Sequence, residues 1–373
     1  MMICDWHLDL AWNALEWDRD LARPVAEIRA REVALGRRGP GRGTNTVSFP
    51  ALRAGGVAVA CATVLARHDR EPPPLPDLPR SGFSTVEAAH ATAVGQLAYY
   101  RAIERRGLAR ILRDRAGLDD HVARWQAHLA RRSSHPAEAA PPIGLILSME
   151  GADPILDPAD LGEWWDAGVR IIGLTHFGVG RYGHGTGTPG PLGPLAPALL
   201  AAMRGRGVIL DLTHLADAAM DQAFDLFDGP ILASHHNCRA LVDRQRQLRD
   251  ADIRRIAARG GVIGVALDAW MLDIAAGQGG LGPRSAATLA TAADHVDHIC
   301  QLAGSARHAA LGTDLDGGFG TEQSPADLDT VADLARIPSI LRQRGYPEAD
   351  IAAILHGNWL DLVRRAWGGD RCP

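Results

Sequence analysis

The chain has 373 residues, 46% of them hydrophobic, and a formal net charge of −5 at pH 7. This length and apolar content predict a large core, and one elaborated domain spanning 1–373 is the simplest organisation, because α/β barrels with insertions reach this size. The weakly acidic balance argues against binding to nucleic acid or to an anionic membrane surface, so a small-molecule partner is expected.

Cysteine usage and the amino terminus indicate the cellular compartment. The five cysteines form no close CxxC pair, which argues against a disulfide scaffold or a structural zinc ribbon. The first residues read as a strand with no basic and apolar leader, and no apolar run reaches the roughly 18 residues needed to span a membrane. We therefore expect a soluble, cytoplasmic protein with no membrane contact.

Eight short apolar runs are predicted to be β-strands. They show little polar alternation, which is typical of strands covered by helices on one side and packed inside a barrel on the other. The runs are 3–10, 57–65, 143–149, 169–175, 208–213, 231–234, 262–267 and 309–312. Helical patterns, among them 250–259 and 286–303, lie between them. The sequence therefore predicts an α/β fold, a (β/α)8 TIM-type barrel of parallel strands.

Two stretches interrupt the alternation of predicted strands and helices. Residues 67–83 are rich in proline and predict a stiff loop, and helices follow up to about residue 132. Ser84-Thr85-Val86-Glu87 has the pattern of a capping box that opens the first of these helices. We interpret 67–132 as a loop and helices inserted between strands two and three. Residues 177–194 are rich in glycine and follow strand four, which makes them a candidate substrate loop or lid.

Histidine and acidic residues stand at the ends of several predicted strands. Because the carboxyl ends of parallel strands meet at one rim of a barrel, these side chains are predicted to converge. Imidazole and carboxylate groups are ligands for divalent cations. His7 and Asp9 would hold one ion, and His214 and His235 would hold a second. Glu150 would bridge the two ions through its two oxygens.

Other interpretations of these residues remain open at this level. Any one of the histidines alone is better explained as an ordinary core residue, and strand parity does not decide between His235 and His236. Glu150 is alternatively paired with an arginine, since an unpaired buried charge is costly. The chain contains no lysine. A carboxylated-lysine bridge and Schiff-base chemistry are therefore excluded, and a bridging ligand has to be Asp or Glu.

Two further strand-end residues are candidate catalytic groups. Asp314 ends strand eight, where a carboxylate can accept a proton from metal-activated water and return it to a leaving amine. Its alternative role is that of a turn carboxylate, which suits Asp316 better. His176 ends strand four and is a candidate to polarise a substrate carbonyl or stabilise an oxyanion. It would otherwise anchor the glycine-rich loop.

Motifs spread from the first strand to the carboxyl end carry a family resemblance. They include Asp5-Trp6-His7-Leu8-Asp9, Met149-Glu150-Gly151, Asp211-Leu212-Thr213-His214, Ser234-His235-His236-Asn237-Cys238-Arg239, Gly312-Thr313-Asp314-Leu315-Asp316-Gly317 and Gly357-Asn358-Trp359-Leu360. With this set the chain resembles the membrane (renal) dipeptidase family, peptidase family M19, of the amidohydrolase-like metal-dependent hydrolases. The resemblance implies a zinc dipeptidase with two zinc ions and a metal-bridging hydroxide, and it selects His235 over His236. It further suggests tolerance of a D-residue at the carboxyl position and a homodimer.

The resemblance also implies roles in substrate binding. Arg246 matches the family arginine that holds the substrate's free carboxylate, a task that suits a bidentate guanidinium. Trp12 resembles a pocket wall in the same way. Departures from the family pattern occur at Trp6, at Leu8 and in the segment 177–183, and we expect these positions to line the pocket. Strand seven departs as well, since it ends Leu267-Asp268-Ala269-Trp270.

Two other functions are compatible with the same fold and metals. The first is another binuclear-metal amidohydrolase that acts on N-acyl amino acids, lactones or esters, because a fold does not fix a reaction. The second is a metal-retaining binding protein with weak catalysis. Comparison of dipeptides with esters and lactones as substrates separates these alternatives.

Overall fold

The computed structural model describes residues 1–68, 82–132, 134–135, 138–278 and 284–368. Most of the proline-rich loop predicted at 67–83 lies outside the described residues. None of the helices within them is long and apolar enough to cross a membrane.

A nearly closed barrel of eight parallel strands forms the centre of the molecule, as predicted. The strands in chain order are β1 (Ile3–Leu8), β2 (Val57–Leu65), β3 (Arg67–His68), β4 (Gly82–Phe83), β5 (Ala109–Ile111), β6 (Ile143–Glu150), β7 (Val169–Gly173), β8 (Val179–Gly180), β9 (Gly183–His184), β10 (Ile209–Asp211), β11 (Ile231–Ala233), β12 (Val262–Val265) and β13 (Ala309–Leu311). The barrel order is β1-β2-β6-β7-β10-β11-β12-β13. Six of the eight barrel strands end one or two residues before the predicted runs do.

Helices surround the barrel. The α-helices are α1 (Leu10–Glu16), α2 (Val25–Ala34), α3 (Phe49–Gly55), α4 (Val86–Arg105), α5 (Arg115–Arg131), α6 (Leu161–Ala167), α7 (Ala196–Arg206), α8 (Asp217–Leu226), α9 (Asp250–Ala258), α10 (Ala269–Leu272), α11 (Leu289–Ala303), α12 (Ile337–Gln343), α13 (Glu348–Ala352) and α14 (Asn358–Trp367). Short 3-10 helices span Pro158–Asp160, Ala306–His308, Thr321–Gln323 and Val331–Arg336, and a π-helical turn spans Ala353–Gly357. The helices predicted at 250–259 and 286–303 correspond to α9 and α11.

The stretch between β2 and β6 contains strands as well as the predicted helices. Strand β5 pairs in parallel with β6 and adds a ninth strand to the sheet, outside the barrel. Three residues with an arginine in the middle carry no recognisable strand pattern, so the sequence did not predict it. Helix α4 begins at Val86, and the Thr85 hydroxyl accepts from the Ala88 amide at 3.2 Å. The predicted capping box at Ser84 is therefore wrong by one residue.

Contacts between β1 and β13 close the barrel beneath the site. Both carboxylate oxygens of the buried Asp5 accept from Thr313, one from its amide at 2.8 Å and the other from its hydroxyl at 2.6 Å. Inside the barrel, a Cβ atom at Gly264 or at Gly312 would overlap the carbonyl oxygen of Ser234. Glycine at both positions thus allows three neighbouring strands to approach closely.

Trp6 and Leu8 do not line the pocket, so the prediction that these two departures shape it was wrong. Both side chains are fully buried on the outer side of β1. Trp6 stacks on Trp359 of α14, with ring centroids 4.5 Å apart and planes 7° apart. Successive strand residues face opposite sides of a sheet. Because His7 points into the barrel, its two neighbours point outward, against the helical layer.

Candidate metal and substrate site

Glu150 lies at the centre of a cluster of histidines and acids at the carboxyl ends of the barrel strands. Its Oε1 atom is 3.2 Å from His214 Nε2 and 3.3 Å from His235 Nε2. Its Oε2 atom is 3.5 Å from His7 Nε2. One carboxylate oxygen therefore faces His214 and His235, and the other faces His7.

Asp9 and Asp314 lie near His7, and His176 lies on the side of Glu150 that faces His214 and His235. The Nε2 atom of His7 is 3.8 Å from Asp9 Oδ2 and 3.9 Å from Asp314 Oδ1. On the opposite side, His176 Nε2 is 3.9 Å from Glu150 Oε1. The structure thus brings together all the predicted ligands and both candidate catalytic residues. Asp314 lies in a group with His7 and Asp9, and His176 lies in a group with Glu150 and His214.

The donor set fits divalent cations. His7 Nε2 and Asp9 Oδ1 are buried and have no hydrogen-bond partner within the part of the chain that the structure describes. Two ligand atoms bound at about 2.0–2.2 Å to one tetrahedral ion lie roughly 3.3–3.6 Å apart. The distances from Glu150 to His7, His214 and His235 lie at or close to this range. These polar atoms are therefore spaced as ligands of shared ions would be.

Burial keeps most of the imidazoles neutral. It lowers the pKa of His176, His214 and His235 well below the usual range, and the positive charge of Arg246 adds to the effect. A neutral imidazole has the free lone pair that a metal ligand requires. These three histidines are therefore ready to bind a cation at neutral pH without first losing a proton.

The acids and His7 form a region of excess negative charge. Burial opposes the charged form of His7, but the charges of Glu150 and Asp9 raise its pKa well above the usual range. Burial raises the pKa of Glu150 and, together with the charges of Asp9 and Glu150, that of Asp314. A divalent cation placed among these groups would relieve the repulsion between the carboxylates and would replace the proton on His7.

Two hydroxyl groups orient the paired histidines. Ser234 Oγ lies 2.8 Å from His235 Nδ1, and Thr186 Oγ1 lies 2.9 Å from His214 Nδ1. Each hydroxyl can accept from the ring N–H at Nδ1, so that the Nε2 atom, which faces Glu150, carries the lone pair. No role was predicted for Ser234 or Thr186 from the sequence. Ser234 precedes His235 directly, whereas Thr186 comes from a distant loop and no sequence pattern links it to His214.

Of the two adjacent histidines, His235 reaches the cluster. The ring of His235 lies 3.8 Å from that of His7, centroid to centroid. His236 is buried and belongs to none of the groups of possible metal ligands found among the described residues. Its amide donates to the carbonyl of Gly264 at 2.7 Å. This placement agrees with the assignment that the resemblance implied.

A cavity of about 220 Å³ opens above the cluster. Its walls include Trp12 and Arg246, the two residues that the resemblance placed in the substrate pocket. Arg246 is 3% exposed, and its Nη2 group donates to the carbonyl of His235 at 3.0 Å. Its Nη1 group is buried and has no hydrogen-bond partner among the described residues. The cavity is smaller than the roughly 300–1,000 Å³ typical of drug-sized ligands, so it suits a small substrate.

The glycine-rich stretch after β7 forms an antiparallel hairpin of β8 and β9. Asp153 holds this hairpin, since its carboxylate accepts from the amides of Arg181 at 2.8 Å and His68 at 2.9 Å. The Arg181 side chain donates to backbone carbonyls at 153–156 and does not line the cavity. The stretch instead contributes Phe177 to the cavity wall and Thr186 to the support of His214.

Comparison with known proteins gives one family. The sequence profile of the membrane dipeptidases (peptidase family M19) matches residues 1–367. Dipeptidase aclJ of Aspergillus oryzae is 27% identical over 226 residues, which are 59% of this chain and 51% of that protein. The chain therefore spans about half the length of that curated relative.

Two crystal structures are similar over nearly their whole length. The structure of dipeptidase AC, a metallopeptidase of family M19, covers 99% of both chains at 24% identity with a TM-score of 0.73. A metallopeptidase from Rhodobacter sphaeroides, solved with a phosphinate mimic of the dipeptide L-Ala-D-Ala, covers 98% of this chain and 99% of its own at 25% identity, with a TM-score of 0.70.

Proposed function

Because the chain belongs to the membrane dipeptidase family, peptidase family M19, we propose that it is a dipeptidase that uses two zinc ions. The observation that carries this proposal is the position of Glu150, whose Oε1 atom lies 3.2 Å from His214 Nε2 and whose Oε2 atom lies 3.5 Å from His7 Nε2. His7 and Asp9 would hold one ion, His214 and His235 would hold the other, and Glu150 would contribute a ligand to each. Nitrogen and carboxylate ligands in this mixture suit zinc.

The substrate is a dipeptide with a free carboxyl group. The small cavity and the unpartnered Nη1 group of Arg246 support a short, anionic-ended substrate. The Rhodobacter sphaeroides relative binds a mimic of L-Ala-D-Ala, which supports acceptance of a D-residue at the carboxyl position in this chain too. Trp12 forms one wall of the cavity.

Peptide hydrolysis needs an activated water, a stabilised oxyanion and a proton for the leaving amine. Zinc ions, when bound, supply water activation and polarisation of the carbonyl. Asp314 accepts the proton from the attacking water and returns it to the amine, a role that suits a buried carboxyl whose pKa is raised. His176 lies on the opposite side of Glu150 and donates to the carbonyl oxygen as negative charge develops there.

A substrate panel tests the proposed reaction. The zinc-loaded chain is expected to hydrolyse L,L and L,D dipeptides in preference to N-acyl amino acids, esters and lactones. Initial rates at matched substrate concentrations give the comparison. Turnover of lactones or esters in the absence of dipeptide hydrolysis would establish the alternative amidohydrolase function, and bound zinc with no turnover on the whole panel would indicate a binding protein.

Arg246→Ala is expected to remove the preference for a free carboxyl group. A buried guanidinium that pairs with a carboxylate contributes enough for roughly 10²-fold in kcat/KM. The wild-type chain should therefore favour a dipeptide over its carboxyl-amidated form by about that factor, and the variant should hydrolyse both at similar, low rates. Kinetics on the matched pair of substrates measure the ratio.

Zinc content is the control for this variant, because Arg246 also contacts a proposed metal ligand. Its Nη2 group lies 3.3 Å from His214 Nε2. Metal analysis of the variant should give the wild-type zinc content. Equal wild-type rates on the free and amidated dipeptides would contradict the proposed role of Arg246.

A further inference from the structure

Asp268 places a second, unassigned charged group in the substrate cavity. It follows β12, is 7% exposed and lines the same cavity as Arg246. Its Oδ1 atom accepts from the Trp270 amide at 2.8 Å and from Gln323 Nε2 at 2.7 Å. No donor among the described residues bonds to its Oδ2 atom. One oxygen thus fixes the side chain, and the other is available to a ligand.

Asp268 is negatively charged at neutral pH. Burial raises its pKa to about 6, while its hydrogen bonds and the charges of Arg246 and Arg244 limit the rise. The charge of Arg246 acts on Asp268 without a hydrogen bond between them. A buried carboxylate with one unpaired oxygen is costly unless a cation or donor meets it. The cavity therefore presents a free cationic donor and a free anionic acceptor.

We propose that Asp268 selects dipeptides whose carboxyl-terminal residue has a cationic side chain. This inference rests on the proposed dipeptidase function. A substrate carboxylate held by Arg246 places the side chain of the same residue beside the neighbouring walls of the cavity. Those walls contain Asp268 and Trp270. The free Oδ2 atom of Asp268 binds the cationic head group, and the Trp270 indole packs against the apolar stem of the side chain.

The position of Trp270 is itself fixed. The guanidinium of Arg244 lies over its ring, 4.7 Å from the centroid, and Arg244 Nε donates to the Trp270 carbonyl at 3.0 Å. An aromatic wall held in this way and an acid held by Gln323 give the subsite two preorganised contacts. Preorganised groups lose little conformational entropy when a ligand binds.

The test compares Ala-Lys with Ala-norleucine, which has a stem of similar length and no charge. A charge-assisted hydrogen bond in a buried site corresponds to roughly 10- to 100-fold in kcat/KM. We expect the wild-type chain to favour Ala-Lys by such a factor and Asp268→Asn to reduce the ratio to near one. Asparagine keeps an oxygen for the Trp270 amide and Gln323, so the capping bonds remain.

Asp273→Asn is the matched control, since it removes the same charge just beyond α10 and outside the residues that line the cavity. It should leave the substrate ratio unchanged. A wild-type ratio near one, or a high ratio retained in Asp268→Asn, would overturn the inference while dipeptide hydrolysis itself stands. Failure to hydrolyse either dipeptide would overturn the proposed function and this inference together. A wild-type ratio near one would overturn the inference even if the Asp268 variant did not fold.

Discussion

Replacing Glu150 with glutamine is expected to lower kcat/KM for dipeptides by roughly 10³-fold or more and to reduce the zinc content of the chain. The glutamine amide has nearly the same shape as the glutamate carboxylate. The carboxylate has two oxygens that share a negative charge, whereas the amide has one neutral oxygen. Both imidazole groups that face Glu150 lose an anionic ligand at once. Residues that act as one catalytic unit cause losses of this size when one member is removed.

Metal analysis and steady-state kinetics measure the effect of Glu150→Gln. Glu163→Gln is the matched control, because Glu163 lies on the exposed side of α6, outside the candidate site. It should retain full activity and the wild-type zinc content. A Glu150→Gln variant with two ions and normal rates would contradict the bridging role.

Asp314→Asn is expected to lower kcat by about 10²- to 10⁴-fold while both ions stay bound. General acid–base catalysis contributes a factor of this size, and asparagine neither accepts nor returns the proton. The position tolerates the exchange, because the backbone there has a φ of 59° and asparagine adopts this conformation more readily than most residues. Kinetics and metal analysis on the same preparation give the result.

A loss of zinc in Asp314→Asn would change the interpretation of this residue. Asp314 Oδ1 lies 3.9 Å from His7 Nε2, near enough for both to reach one ion. If one ion departs together with the activity, Asp314 is a ligand and the proton transfer belongs to another group. A variant that keeps both ions and the wild-type kcat would exclude both roles.

Much of the barrel could be predicted because its strands are buried on both sides. Each of the eight apolar runs corresponds to a barrel strand. Strand β5 is different, since it lies at the edge of the sheet and has three residues, too few for a periodic signal. The start of α4 is also one residue later than predicted, because Ser84 and Thr85 are both good N-cap residues and the sequence does not rank them.

The cluster of strand-end residues was predictable for a topological reason. In a parallel barrel, the side chains at the carboxyl ends of all strands lie at the same rim. His7 and His235 are far apart in the sequence, but both follow barrel strands, so their proximity could be predicted from topology alone. The expectations for Trp6 and Leu8 were wrong because successive residues of a strand face opposite sides of the sheet. The same alternation that aims His7 and Asp9 at the rim turns their neighbours outward.

The residues that orient the metal ligands and the residues that select the substrate were less predictable, because their positions depend on loop geometry. Thr186 reaches His214 only through the fold of the hairpin that contains β8 and β9. The segment 267–270 departs from the family pattern, but no role was predicted for Asp268. Its unpaired oxygen and its place beside Arg246 follow from how β12 ends against Gln323, which is distant in the chain.

Titration of the metal-free chain with zinc tests the central claim, a dipeptidase with two ions, most directly. The initial rate of dipeptide hydrolysis and the amount of bound zinc are followed in one experiment. We expect no hydrolysis without zinc and a rate that reaches its maximum at two ions per chain. Full activity without metal, a maximum at one ion per chain, or two tightly bound ions with no dipeptide hydrolysis would contradict the account.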